Sequence, residues 1–299
     1  MDGLIKVGFC VAYDWPLLRY ALPAIYDAAD SICLSIDVDQ RTWAGGHYSF
    51  DRAAFDALIK SIDKQGKIKV YADNFYMSEL TPAQNEVRQR QKLAEALGQG
   101  GWHLQLDSDE YFLNFDGFVK YLKALNPKDL RLNVCCPLVT LFKQVEGGIL
   151  YIEQKNPKKF EYIQIVTPKP QYLYGRRNGH FNVYTNFLII HQSWARSEQE
   201  VEQKLMNWGH VKDFDPKFFL EMWRKLSRTN YESLKNFHPI EPEVWSTLRL
   251  NQSPDIETLI RTFNVKEFQR LSQWQLWLKN SRGLSKLRAL LKPVIGWWK

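Results

Sequence analysis

The chain is poor in cysteine, has no long apolar run, and lacks several short motifs that would point directly to a chemistry. Its four cysteines are Cys10, Cys33, Cys135 and Cys136, and none forms a Cys-x-x-Cys pair. Cys135 and Cys136 are neighbours in an apolar stretch that reads as a strand. Adjacent strand residues point to opposite faces, which argues against a disulfide between them. The expectation is buried free thiols in a reducing compartment. There is no His-Glu-x-x-His and no ligand-spaced cysteine set, which argues against a zinc enzyme. There is no Gly-x-Ser-x-Gly elbow, which argues against a serine hydrolase of that type. No stretch approaches the roughly 18 apolar residues that a spanning helix requires. The first residues lack a basic segment ahead of an apolar core and a small-residue cleavage site. A cytoplasmic protein is expected, peripheral on the cytoplasmic face of the inner membrane if its tail attaches it there.

Charge is the next thing in short supply over most of the chain. The formal net charge is +7. Between Val265 and Lys299, however, eight basic residues face one acid, Glu267, and this excess equals the whole net charge. The remainder is neutral, which argues against a nucleic-acid partner. Four of the 11 Trp (Trp274, Trp277, Trp297 and Trp298) lie in the same tail. Leu284, Leu287, Leu290, Leu291, Val294, Ile295 and Trp298 fall on one helical face, with Lys286, Arg288 and Lys292 elsewhere and Pro293 as a kink. Such a segment suits an anionic membrane surface, apolar face down. Its alternative is to pack on the protein's own core.

What is present is ordinary globular material: 299 residues, 45% hydrophobic and 24% charged. That suits one large domain or one domain with appendages. The first half alternates strand-like and helix-like segments. Leu4–Ala12, Ser31–Asp37, Lys67–Ala72 and Trp102–Leu106 read as strands. Pro16–Ala29, Asp51–Gln65 and Thr81–Leu97 read as helices between them, the second with Phe55, Leu58, Ile59 and Ile62 at amphipathic spacing. This rhythm predicts an α/β fold with a mostly parallel sheet flanked by helices. After a short helix at Phe115–Leu125 come strand-like segments at Leu130–Lys143, Ile149–Ile152, Tyr162–Val166 and Tyr184–His191. Ser197–Trp208 reads as a helix opened by a Ser197/Glu200 capping box and closed by Gly209. From Asp215 onward helices and loops are expected, without a further strand. The division expected is a catalytic domain over 1–212 and a helical extension over 213–299.

The fourth strand runs directly into Asp107-Ser108-Asp109-Glu110. Ligands of open α/β sheets gather beyond the carboxyl ends of the strands. Two carboxylates one residue apart at such an end can share a hard cation, and the cation can in turn hold a diphosphate. His191 ends the last strand-like run, where a neutral imidazole can complete a metal shell. Arg196 lies near the following helix N-terminus, a favourable place for phosphate.

Ala12-Tyr13-Asp14 after the first strand, Asp37 at the end of the second, Arg88-Gln89-Arg90-Gln91 on a helix, and Trp102-His103-Leu104-Gln105-Leu106-Asp107-Ser108-Asp109-Glu110-Tyr111 together resemble the family 2 glycosyltransferases of the GT-A fold. The resemblance covers roughly residues 4 to 210. The segment from His191 to Arg196, continuing to Lys204 and Trp208-Gly209-His210, is similar to a bacterial subgroup of that kind. It implies a Rossmann-like sheet and a metal-dependent transfer of sugar from a UDP- or GDP-sugar, with Mn²⁺ or Mg²⁺ as cofactor. The acceptor implied is a glycan or lipid-linked glycan of the cell envelope. Tyr13, Asp37, Arg90 (with Arg88 as its rival), Asp107 and Arg196 would touch the nucleotide-sugar, and Asp107, Asp109 and His191 the metal.

No residue stands out as the catalytic base. Glu146, Glu153, Glu161 and Asp213 are candidates. Phe75–Ser78 and the Tyr172–Asn178 stretch, with its Arg176-Arg177 pair, are candidates for contact with donor or acceptor. A sugar-phosphate nucleotidyltransferase is a competing reading, although the stretch after the first strand contains no glycine to cradle a triphosphate. A non-catalytic glycan- or membrane-binding protein on a degenerate transferase fold is another.

Overall fold

The computed structural model describes residues 3–125, 129–207 and 214–285. Four parallel strands form its N-terminal half: β1 (Ile5–Val11), β2 (Ser31–Asp37), β3 (Ile68–Asp73) and β4 (Trp102–Asp107). They lie in the order 3-2-1-4, with β1 pairing β2 and β4 and β2 pairing β3, all parallel. Every residue of β1 is buried, as expected of a central parallel strand covered on both faces. The connecting helices are α1 (Leu18–Ala21), α2 (Arg52–Ile62) and α3 (Pro82–Ala96). Helix α3 opens with a Thr81/Gln84 capping box and Pro82 in its first turn, and it packs on β1 and β2. The approach is close at Gly8, where an added Cβ would lie 2.8 Å from Leu93.

One helix expected from sequence breaks up. Instead of a continuous helix over Pro16–Ala29, a 3₁₀ turn at Trp15–Leu17 leads into the four residues of α1, and turns follow. Pro23 accounts for this, because its ring collides with the carbonyl four residues back and it has no N–H to donate.

Beyond β4 come β5 (Glu110–Phe112), α4 (Phe115–Ala124), β6 (Leu132–Val145), β7 (Gly148–Glu153) and β8 (Tyr162–Thr167). Strands β4, β8, β6 and β7 are antiparallel to one another in turn. The run expected as one strand over Tyr184–His191 is two, β9 (Phe181–Tyr184) and β10 (Ile189–His191), both parallel to β6. The gap between them faces Cys136 and Pro137 of β6, and Pro137 has no N–H for a ladder.

Helix α5 (Glu198–Asn207) follows with the expected Ser197/Glu200 box, Ser197 Oγ donating to Glu200 at 2.6 Å. Its expected end at Trp208-Gly209 lies outside the described residues, as does the expected domain boundary at 212/213. Next are α6 (Pro216–Lys225), β11 (Thr247–Asn251), α7 (Ile256–Thr262) and α8 (Gln273–Asn280). Strand β11 corrects the expectation that no strand follows Asp215. It pairs antiparallel with Ile149–Glu153 of β7 and ends the sheet order β11-β7-β6-β8-β4-β1-β2-β3.

Two apolar clusters hold the sheet. The larger surrounds the parallel strands and includes Phe9, Leu34, Trp102, Leu104 and Phe118. The second is largely aromatic: Phe142, Trp194, Phe219, Trp223, Phe237 and Trp245, with Val201 and Leu205 of α5 seated on it. Among the described residues no helix is long and apolar enough to cross a membrane. Of the basic tail, α8 is described, and its Trp274 and Trp277 are exposed and stacked at 4.8 Å. Most of the leucine face expected beyond it lies outside the described residues.

Candidate functional site

The order 3-2-1-4 reverses direction between β1 and β4, and the crevice beyond their carboxyl ends is where ligands of such sheets bind. Cys10 and Asp107 are partners in register. Tyr13 and Asp14 therefore emerge beside Asp107, Asp109 and Glu110. The turn Ser108-Asp109 reverses the chain into β5, whose antiparallel pairing with β10 sets His191 opposite Glu110. A further bond from the Gln192 N–H to the Asp109 carbonyl, 2.9 Å, ties the two segments together.

Four cations converge on these carboxylates. Arg90 Nη2 donates to both oxygens of Asp107, at 2.9 and 3.2 Å, and Arg176 Nη2 donates to Asp107 at 2.6 Å. Arg176 also donates to Glu110 at 3.0 Å. Arg196 Nη2 donates to Asp109 at 2.5 Å and lies 3.5 Å from Asp14. Lys204 Nζ is 3.3 Å from the same Asp109 oxygen, and His191 Nε2 is 3.6 Å from it.

Local structure explains how each cation arrives. Asn85, Gln89 and Leu93 face α3 toward the sheet, Gln89 donating to Ser35 Oγ at 3.0 Å, and this turns Arg90 inward. Arg90 is held there by Glu86 at 2.9 Å and by the face of Trp43, 5.5 Å away. Arg176 stands in a tight turn closed by a Tyr174–Arg177 bridge. Gly175 has a φ of +51° and approaches Glu86, so a side chain there would be strained and crowded. Arg196 precedes α5 and Lys204 lies in its last turn, and Val201 and Leu205 of the same helix sit in the aromatic cluster. The Lys204 ammonium also lies 5.4 Å over the Trp194 ring.

Burial and charge compete over every ionisable group here. Burial pushes the Asp109 carboxyl up, but Lys204, His191 and Arg196 outweigh it and hold the group well below the usual carboxylate range. Asp107 is likewise held down by Arg176 and Arg90 against burial. Glu110 is pushed up to about 7, by burial first and by Asp107, with Arg176 opposing. Asp14 is pushed up to about 6 by burial, with Arg196 opposing and Asp109 adding. Burial pushes His191 down to about 4 despite Asp109, so its imidazole is neutral near pH 7.

The expected site residues divide clearly. Arg90, Asp107, Asp109, His191 and Arg196 come together, and Tyr13 lies at the rim with its ring edge-on to Tyr48 at 6.4 Å. Asp37 is placed differently. Its two oxygens accept four backbone N–H groups, from Asp39, Arg41, Phe75 and Tyr76, at 2.8 to 3.1 Å. It organises the loops after β2 and β3, beside a cavity of about 420 Å³ lined by Asp39, Arg41, Asn74 and the Tyr76–Glu79 stretch. A second cavity, about 670 Å³, is distant from this chemistry, between Tyr184–Phe187 and α8. None of the described candidate bases touches the cluster. Glu153 pairs with Arg249, Glu161 bonds Thr140 at 3.3 Å, and the Glu146 carbonyl accepts from Arg228, while Asp213 lies outside the described residues.

Two cations had only faint signals in the sequence. Arg176 was one of an arginine pair in a loop rich in glycine and asparagine, and Lys204 was one lysine on a helix carrying many charges. Only the fold shows that both face the Asp-x-Asp segment.

The arrangement bears directly on the metal expected at Asp107, Asp109 and His191. Among the described residues no three His, Cys, Asp or Glu side chains are grouped to hold an ion. Asp107 is turned toward two guanidinium groups, and Asp109 is taken up by Arg196 and Lys204. A divalent ion there would be attracted by Asp107 and Asp109 but repelled by Arg196 and Lys204, and it would have to displace these cations from the carboxylate oxygens it needs as ligands. The donor set does not fit such an ion while the cations keep these positions.

No protein-family profile matches the chain, and no curated protein does. Among solved structures, one similarity is to 4-diphosphocytidyl-2C-methyl-D-erythritol synthase, at 12% identity and a TM-score of 0.30. It covers 48% of this chain and 64% of that one, so the chain spans less than two thirds of that protein. A likeness so slight bears on neither the chemistry nor the family. The chain is a mixed α/β protein with a Rossmann-like parallel half and a largely buried cluster of paired charges at its switch point.

Proposed function

We propose that this chain is a glycosyltransferase of GT-A type that takes a UDP- or GDP-sugar in the crevice beyond β1 and β4. The acceptor we assign is a glycan or lipid-linked glycan of the cell envelope. The observation that supports this most is the meeting of Arg90, Arg176, Arg196 and Lys204, from four separate segments, at the switch point of the parallel sheet. A departing nucleoside diphosphate develops negative charge, and fixed donors in a water-poor site stabilise it without reorganising. Arginine suits this work because its fork matches phosphate oxygens. Asp107 and Asp109 hold the forks in place before donor arrives. The cavity beside Asp39 and Tyr76 offers room for the nucleoside.

The test is release of UDP or GDP from a panel of nucleotide-sugars incubated with the protein and envelope glycans. Release that Arg196→Ala abolishes supports the reading, and no release from any donor counts against it.

The same reading places the protein at a membrane surface through its tail, supported by the exposed Trp274/Trp277 pair that leads into the basic segment. Asn280 bonds both backbone groups of Tyr184, at 2.7 and 2.9 Å, so truncation belongs after residue 285 to leave α8 packed. Deleting 286–299 is expected to release the protein from sedimenting anionic vesicles. Unchanged sedimentation would contradict the membrane assignment.

A further inference from the structure

Resting on that functional reading, the geometry points to a crevice that binds the nucleoside diphosphate without a divalent metal ion, Arg176, Arg196 and Lys204 supplying the positive charge themselves. Two observations carry this independently of the motif that suggested a metal. The first is occupancy of the carboxylates: both oxygens of Asp107 and one of Asp109 already face fixed cations. The second is a surplus of donors. Arg176 Nη1, Arg196 Nη1 and Nε, and Arg90 Nη1 are buried and have no partner among the described residues. Their side chains are 5%, 2% and 2% exposed.

Buried donors on charged groups are costly to leave unmade, and native proteins leave few of them. All four atoms belong to the guanidinium groups that touch Asp107 and Asp109. What they lack is acceptor oxygens, and a diphosphate brings many. A metal ion would bring none and would add charge where cations already crowd. The more accessible groups of the cluster are Asp107, Glu86, His191, Asp14 and Lys204, and of these Lys204 is the cation an entering anion meets. Asp109 then acts as the anchor that keeps Arg196 and Lys204 poised, a role in which an Asp-x-Asp pair needs no ion.

The experiment is calorimetric titration of UDP, GDP and inorganic pyrophosphate into the full chain, once in excess EDTA and once in excess Mn²⁺. Mn²⁺ uptake by the free protein is followed in parallel by electron paramagnetic resonance. The expected result is binding of one nucleotide with dissociation constants equal within about twofold in the two buffers. The free protein is expected to take up no Mn²⁺. Lys204→Met is expected to weaken nucleotide binding by about tenfold or more, the size of a lost hydrogen bond to a charged group. Lys204 is less buried than the arginines, so this variant keeps the test usable if Arg176→Met fails to fold.

Binding seen only with Mn²⁺, or tightened about tenfold by it, overturns the inference, as does stoichiometric Mn²⁺ uptake. Pyrophosphate binding in EDTA without nucleotide binding would uphold the metal-free cradle and sink the nucleotide-sugar reading instead. No binding of any of the three would overturn both.

Discussion

The parallel half of the sheet supplies the carboxylates of the site, and the antiparallel half, with the loop and helix it carries, supplies three of its four cations. Asp14, Asp107 and Asp109 follow β1 and β4 directly, where a strand end fixes a side chain to within its rotamer. Arg176, Arg196 and Lys204 come from segments that only the second half holds in place. Arg176 follows β8, while Arg196 and Lys204 follow β10, on elements pinned by Trp194, Val201 and Leu205 against Phe142, Phe219 and Trp223. The first half is a common sheet whose backbone does the positioning. In the second half, aromatic packing does it. The site is therefore sensitive to residues that never touch it, and to the balance between two sets of charges that neither half can satisfy alone.

The largest effect should come from splitting one buried pair across that divide. Arg196→Ala leaves Asp109 with one fewer cation in a buried place, at an expected cost of about 3–5 kcal/mol in urea denaturation. Adding Asp109→Asn should recover part of that loss, since the uncompensated charge is then gone. A loss in the double variant equal to the sum of the losses in Arg196→Ala and Asp109→Asn alone would mean that the two residues are not coupled. Next comes Trp223→Ala, which empties the aromatic cluster and removes the Trp223 bond to the Phe142 carbonyl, 2.8 Å. About 3 kcal/mol of stability should go. Nucleotide affinity should fall as well, although Trp223 makes no contact with the charged cluster. Affinity unchanged in a destabilised variant would separate the aromatic half from the site.

The pH dependence contributed by His191 is smaller and has a definite sign. Burial holds His191 at about 4, below its unfolded value, so the unfolded chain binds a proton that the folded chain refuses. The His191 contribution to stability should therefore fall as pH drops from about 6.5 toward 4, opposed over the same window by the raised carboxyls of Glu110 and Asp14, and His191→Asn should remove that contribution in thermal melts. An unaltered profile in the variant would show that another group dominates. Smallest is Thr81→Ala, which removes the α3 cap and should cost about 1 kcal/mol. Arg90 lies two turns in, so nucleotide binding should survive this change. A cap mutation that abolished binding would mean that α3 is less firmly held than its packing indicates.

The same division governs what could be read without coordinates. In the parallel half, fully buried strands give apolar runs and the helices between them carry caps. Ser31–Asp37 was delimited to the residue, and Asp107 and Asp109 stood out as carboxylates at a strand end. Pro16–Ala29 failed there because Pro23 ends the helix after Ala21. In the antiparallel half the signals are weaker. Thr247–Asn251 does alternate, with Leu248 and Leu250 on one face, but five residues between polar loops resemble many other short segments. Arg176 and Lys204 were legible only as one of an arginine pair in a candidate contact loop and as part of a segment of resemblance, because a cation in a loop or on a charged helix carries no mark of which carboxylate it will face. Asp37 shows the reverse limit. The resemblance implied a nucleoside contact, while the place of Asp37 before Asp39 also suited a turn cap, and its four backbone bonds include that cap.

The most direct test is calorimetric titration of UDP and GDP into the unaltered protein and into Arg196→Ala, with circular dichroism confirming that both are folded. Binding of one nucleotide by the first and none by the second is the predicted result. A folded wild-type chain that binds neither, or a variant that binds as well as the wild type, would contradict a site made by cations of one half meeting carboxylates of the other.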